Sequence, residues 1–161
     1  MNRSFTTLIA AAALALAATP VFCAEPSPLV EGKALFEKNC VTCHTLDRSL
    51  AVQADRAGWE STIKRMIAKG AKLDKAQVEP ILGYLSAKSS FETKCNACHD
   101  LQRPLTAIKN AEQWKATVLS MAAKKPGSLT EADAGAITLY LSLVTTVKAA
   151  TPVAPAAPAY K

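Results

Sequence analysis

The sequence predicts an all-α protein made of two tandem small helical domains, and three observations predict it. No segment of the 161 residues alternates apolar and polar side chains as a half-buried strand would. Small and apolar residues recur instead at helical spacing, as in Leu29, Gly32, Phe36 and Cys40. The pattern also occurs twice. An offset of 55 maps Phe91 onto Phe36, Cys95-Asn96-Ala97-Cys98-His99 onto Cys40-Val41-Thr42-Cys43-His44, Trp114 onto Trp59 and Met121 onto Met66. One residue is inserted after the second methionine, and an offset of 56 then maps Leu129, Ile137, Tyr140 and Leu141 onto Leu73, Ile81, Tyr84 and Leu85. Two copies denote a duplicated domain, since solenoids need about three or more units.

The elements follow in order. Residues 1–24 read as a secretory signal: Arg3, an apolar run from Leu8 to Ala18, then a break at Thr19-Pro20 and a cleavage-like Val21-Phe22-Cys23. That run is too short to span a bilayer, which takes about 20 apolar residues. Phe22 is too bulky for lipid attachment at Cys23. The first domain is expected over residues 25–88, the second over 89–148, and a Pro/Ala-rich, extended tail over 149–161.

In the first domain a helix is expected from about Leu29 to Asn39. A second runs from Gly58 or Trp59 to Gly70, and a third starts at Asp74 as N-cap and carries Val78, Ile81, Leu82 and Leu85 inward. Pro80 predicts a kink or a later start for the third. In the second domain Ser89 and Glu92 have capping-box spacing and predict a new short helix running into Cys95. Further helices are expected at about Ala111–Lys124 and from Thr130 onward, burying Ile137, Tyr140, Leu141 and Val144.

The Cys-x-x-Cys-His pentad is the attachment signature of c-type haem: two thioethers fix the porphyrin and the histidine reaches the iron. Two pentads predict two haem c groups, on Cys40, Cys43, Cys95 and Cys98. Each domain has only about 60 residues, near the lower limit for an unaided core, and a buried haem supplies the missing apolar volume. Without the signal no cysteine is left for a disulfide. A zinc site on two Cys-x-x-Cys pairs would leave both histidines unexplained.

His44 and His99 are the only histidines, so each is spent on its own iron and bis-histidine ligation is excluded by count. The two methionines beyond the signal, Met66 and Met121, each lie 22 residues past a pentad histidine. They are the expected sixth ligands, and His/Met ligation raises the reduction potential. Core packing is the blander role for a helical methionine. Trp59-Ile63-Met66 and Trp114-Val118-Met121 each form one helical stripe, expected against haem, with the indole N–H reaching a propionate. Arg48 and Arg103, four residues past each histidine, are propionate candidates, and Arg56 is a weaker one.

Past the signal, 18 Lys and Arg face 13 Asp and Glu. Two haems with ionised propionates bring the net charge to about +3 oxidised and about +1 reduced, once the iron is counted. That balance gives no reason to expect nucleic acid binding. The lysines are expected to be solvated and to steer docking to acidic partners.

With these residues the chain resembles class I c-type cytochromes: an N-terminal helix, the pentad, a methionine segment and a last helix bearing an aromatic. Gly32-x-x-x-Phe36 with Tyr84 resembles that class's packing of first helix on last, Ala87 replacing the glycine in the second copy. In many members the methionine comes much later. The compact pattern here, with Arg56-Ala57-Gly58-Trp59 and Arg65-Met66, is similar to small haem domains that accept electrons from periplasmic dehydrogenases. The cytochrome subunits of sulfite dehydrogenases and the dihaem domain of quinohaemoprotein amine dehydrogenase are of this kind.

The resemblance implies a periplasmic electron carrier that binds no substrate and exchanges electrons with protein redox partners. These would be a periplasmic dehydrogenase and a terminal reductase or oxidase. The carrier is either a free shuttle or the electron-accepting subunit of a dehydrogenase. The alternative is a small peroxidase-like dihaem enzyme with one labile axial position. It would need acid/base groups beside the iron, and no spare histidine exists to serve. A haem-based sensor would need an output domain, for which no segment is left.

Overall fold

The structure, a computed structural model, describes residues 27–150. The expected signal segment and residues 151–161 of the expected tail lie outside the described residues. Within them the chain forms seven helices and no strand: α1 (Pro28–Asn39), α2 (Leu46–Leu50), α3 (Arg56–Ala68), α4 (Lys75–Cys95), α5 (Gln102–Thr106), α6 (Ala111–Lys124) and α7 (Glu131–Ala150). None is long and apolar enough to cross a membrane.

Local chemistry sets the ends. Pro28, in the first turn of α1, has no N–H to leave unsatisfied. Asp55 caps α3 by accepting from Gly58 N–H at 2.8 Å, which starts the helix two or three residues earlier than expected. Asn110 and Gln113 form a reciprocal capping box on α6, and Thr130 with Asp133 does the same work for α7. Ala149 and Ala150, assigned to the tail on composition, belong to α7.

The largest departure is α4. A new helix was expected at Ser89, but 21 residues run unbroken from Lys75, through Pro80, to Cys95. The capping-box residues are used otherwise. The Glu92 carboxylate accepts from Lys88 Nζ at 2.6 and 2.7 Å, and the Ser89 hydroxyl accepts from the Trp59 indole at 2.8 Å. The boundary expected between residues 88 and 89 therefore lies inside a helix. The N-terminal part of α4 is the last helix of the first repeat, and its C-terminal part, with Ala87 and Phe91 in the register of Gly32 and Phe36, is the first helix of the second.

This sharing organises the packing: α1 and α3 lie on α4, α4 on α7, and α5 and α6 on α7. One continuous apolar core results, holding Phe36, Trp59, Ile81 and Leu85 with Phe91, Trp114, Ile137 and Leu141. Gly32 sits so tightly on α4 that a Cβ there would lie 2.0 Å from the Pro80 carbonyl oxygen. Phe36 packs on Tyr84 (5.9 Å between centroids) and Phe91 on Tyr140 (5.4 Å), each with the last helix of its own repeat, as expected. Tyr84 and Tyr140 also meet, at 6.2 Å, joining the two repeats.

Not every lysine is solvated. Lys88 is buried between Glu92 and the Leu50 carbonyl, which it reaches at 3.1 Å, and so ties the end of α2 to α4. Its repeat counterpart, Lys33, makes the matching pair with Glu37 at the surface.

Burial, with Glu37 and Glu92 adding to it, pushes the Tyr84 phenol from 10.0 to about 12, and burial pushes Tyr140 further. A folded pKa above the unfolded value gives stability that is complete below the unfolded pKa and is lost as pH rises toward the folded one. Urea midpoints are thus expected to hold up to about pH 10 and to fall between there and about pH 12. In Tyr84→Phe that loss is expected to be smaller.

Candidate functional site

The first repeat builds a cavity of about 530 Å³, within the usual range of ligand pockets. Cys40 enters it from the C-cap of α1, where its N–H donates to the Phe36 carbonyl at 3.0 Å. The turn that follows brings Cys43 and His44 to the same space, and α2 contributes Arg48. From α3 come Trp59, Ile63 and Met66, and from α4 come Ile81 and Leu85. The expected ligands Cys40, Cys43, His44 and Met66 are therefore brought around one apolar-walled volume, with Arg48 and Trp59.

The histidine geometry is repeated in both pentads. His44 Nδ1 lies 2.9 Å from the Thr45 carbonyl oxygen and His99 Nδ1 lies 3.0 Å from that of Asp100. A carbonyl only accepts, so each Nδ1 is placed to donate, which in a neutral ring leaves Nε2 its lone pair. That tautomer is the one a metal-ligating histidine takes when a backbone oxygen orients it. Burial pushes the Cys40 and Cys95 thiols up, Cys98 adding to the shift at Cys95.

In the second repeat Cys95 ends α4, Cys98 and His99 follow, and Arg103 lies exposed in α5. Trp114 and Val118 are buried on α6, as Trp59 and Ile63 are on α3. The methionines differ: Met66 is half-buried, whereas Met121 is 41% exposed. The Lys109 ammonium stands 5.1 Å over the Trp114 ring and donates to Thr117.

Two expectations about polar partners are corrected. The indoles do not keep their N–H groups for propionates. Trp59 donates to Ser89 at 2.8 Å and Trp114 to Thr145 at 2.9 Å, both inside the core. A buried indole takes the nearest acceptor, and α4 and α7 supply one at the same register, 56 residues apart. The ring faces remain available, and Trp59 lines the cavity. Arg56 pairs with Glu79 across α3 and α4 and is not free for a propionate.

Lys69 and Lys72, which line the first cavity beside Arg48, were not singled out in the sequence. Their signal was faint: ordinary lysines flanking Gly70. These three cations and Ser49 are donors that two carboxylates at the mouth of the cavity could use.

The donor set of the first cavity fits haem c. It offers two thiols, an oriented imidazole, a thioether, apolar walls and cations. Among the described residues no three His, Cys, Asp or Glu side chains gather as a metal-ion site. The pentads thus do not converge on a shared zinc.

Comparison with known proteins agrees on the first repeat. Residues 29–89 match the family model described as Cytochrome c. No curated protein and no solved structure matches the chain.

Proposed function

We propose that this chain, whose residues 29–89 are a cytochrome c segment, is a periplasmic dihaem protein that relays electrons between redox partners. One observation carries the reading: Cys40, Cys43, His44 and Met66 meet around a single cavity of haem-pocket size. The second haem is inferred from the repeat, since Cys95, Cys98, His99 and Met121 occupy the same register and His99 makes the same Nδ1 contact to the next carbonyl. Haem c supplies one-electron chemistry through its iron.

The residues supply the rest. Cys40 and Cys43 fix the group covalently, so it stays in place through repeated turnovers. His44 presents Nε2 because the Thr45 carbonyl holds Nδ1–H. Met66 gives a soft neutral donor that favours the reduced state. Trp59, Ile63, Ile81 and Leu85 exclude water, which keeps solvent reorganisation small. Arg48, Lys69 and Lys72 would balance the propionates. No acid/base pair stands in the cavity, and this favours a carrier over the peroxidase-like reading. The partners are redox proteins, with a periplasmic dehydrogenase as donor and a terminal reductase or oxidase as acceptor.

The methionines give the test. The sulfur-to-iron charge-transfer band in the near infrared is expected to halve in Met66→Ala, to halve in Met121→Ala and to vanish in the double variant. A band unchanged in either single variant would remove that methionine from the iron.

A further inference from the structure

The two methionine-bearing helices end differently, and the difference falls on the methionines. α3 closes with a complete Schellman turn. Gly70, at φ +102°, donates its N–H to the Ile67 carbonyl at 2.9 Å, and Ala71 donates to the Met66 carbonyl at 3.0 Å. The Met66 backbone is thereby bonded to the following loop, and that loop, from Lys69 to Leu73, is a wall of the cavity.

α6 cannot close this way. The residue just past its cap is Pro126, which has no N–H to give. The inserted residue lengthens the loop, and Gly127 reaches positive φ (+80°) one position too late. The bonds formed are Lys125 N–H to Ala122 at 3.2 Å and Ser128 N–H to Lys125 at 3.1 Å. Neither touches Met121. Side-chain exposure tells the same story independently: Met121 is 41% exposed where its counterpart is half-buried.

We propose that Met121 is a releasable ligand, so that the second iron, unlike the first, accepts small neutral donors from solution. These are carbon monoxide on ferrous iron and imidazole on ferric iron. This rests on the dihaem reading above. The exchange breaks one iron–sulfur bond and forms one iron–carbon or iron–nitrogen bond, with no electron or proton transferred. The second site keeps the counterpart of the Gly70-to-Ile67 bond, in Lys125 to Ala122, but lacks the counterpart of the Ala71-to-Met66 bond, because Pro126 has no N–H to donate. At the usual net worth of one such bond it opens about fivefold as often, and apparent ligand affinity scales with the open fraction.

The experiment uses the full haem-loaded chain. Haem count and the near-infrared sulfur band are read first; if either shows fewer than two His/Met irons, the dihaem reading fails at that step. Imidazole is then titrated into the oxidised protein and carbon monoxide into the reduced one. Binding is expected to saturate at one ligand per chain in both titrations, with imidazole removing half the band, which only the ferric irons show. Loss of the whole band in one phase, or of none, overturns the proposal.

Replacing Lys125-Pro126-Gly127-Ser128 by the Gly-Ala-Lys of the first loop restores the turn. This is expected to weaken imidazole binding about fivefold. Gly70→Ala provides the reverse variant, because its Cβ meets no protein atom within 4 Å and its left-handed backbone is penalised. It is expected to open the first iron, giving two ligands per chain. Unchanged binding in both variants would also overturn the assignment.

Discussion

A chain carrying Cys95→Ala together with Cys98→Ala is expected to hold one haem, against the two expected of the wild type. The surviving haem is expected to keep its methionine band. The two sulfurs are the only covalent anchors the second repeat offers, and the remaining ligands lie at exposed positions, His99 in a turn and Met121 on a helix flank. Without thioethers, these two donors alone must retain the group. The first cavity is untouched, because Cys95 is the last residue of α4 and the walls of that cavity end at Leu85. The reciprocal Cys40→Ala, Cys43→Ala pair is expected to do more damage. It empties a volume of about 530 Å³ between α1, α3 and α4, and an unfilled apolar cavity costs stability in proportion to its size. Pyridine haemochrome absorbance per chain and thermal melting check both.

Gly32→Ala is the second large effect expected, a loss of about 3 kcal/mol, or roughly 10 °C in melting temperature. Its Cβ would stand 2.0 Å from the Pro80 carbonyl oxygen, 2.6 Å from its carbon and 3.1 Å from Tyr84 Cβ. Two of those atoms are backbone of the central helix and cannot swing aside. α1 must therefore lift, loosening Phe36 from Tyr84 and tilting Cys40 at its end. Two other helical glycines serve as controls. Gly83 has Leu29 at an ordinary 3.8 Å, and Gly135 has nothing within 4 Å. Replacing either by alanine is expected to be neutral or to stabilise by about 0.5–1 kcal/mol through helix propensity. Equal losses at all three positions would show that close approach is not what Gly32 provides.

Much of this architecture was legible from spacing. The helical periodicity placed α1, α6 and the start of α7 correctly, because capping residues and apolar stripes are local signals that packing reinforced. The meeting of Cys40, Cys43, His44 and Met66 around one cavity was also readable, since the pentad and the stripe along α3 are local spacings.

What spacing could not give was how the repeats join. Ser89 and Glu92 have the chemistry of a helix start, but a hydroxyl 30 residues away from Trp59 became that indole's acceptor, and Lys88 took the carboxylate. Tertiary partners outbid a local cap. The same holds for the tryptophan N–H groups and for Arg56, whose nearest acceptors lie on other helices. The five-residue α2 and α5 are too short to show a period at all. The contrast between Met66 and Met121 was visible only as a one-residue insertion. Its consequence depends on Pro126 falling where a turn needs a donor.

Two iron porphyrins bound through four cysteine sulfurs are the core of this account, and intact-mass spectrometry of the purified chain weighs that directly. The expected result is a single species heavier than its polypeptide by two haem groups, resistant to acid-acetone extraction. A species heavier by one haem, or by none, would contradict it.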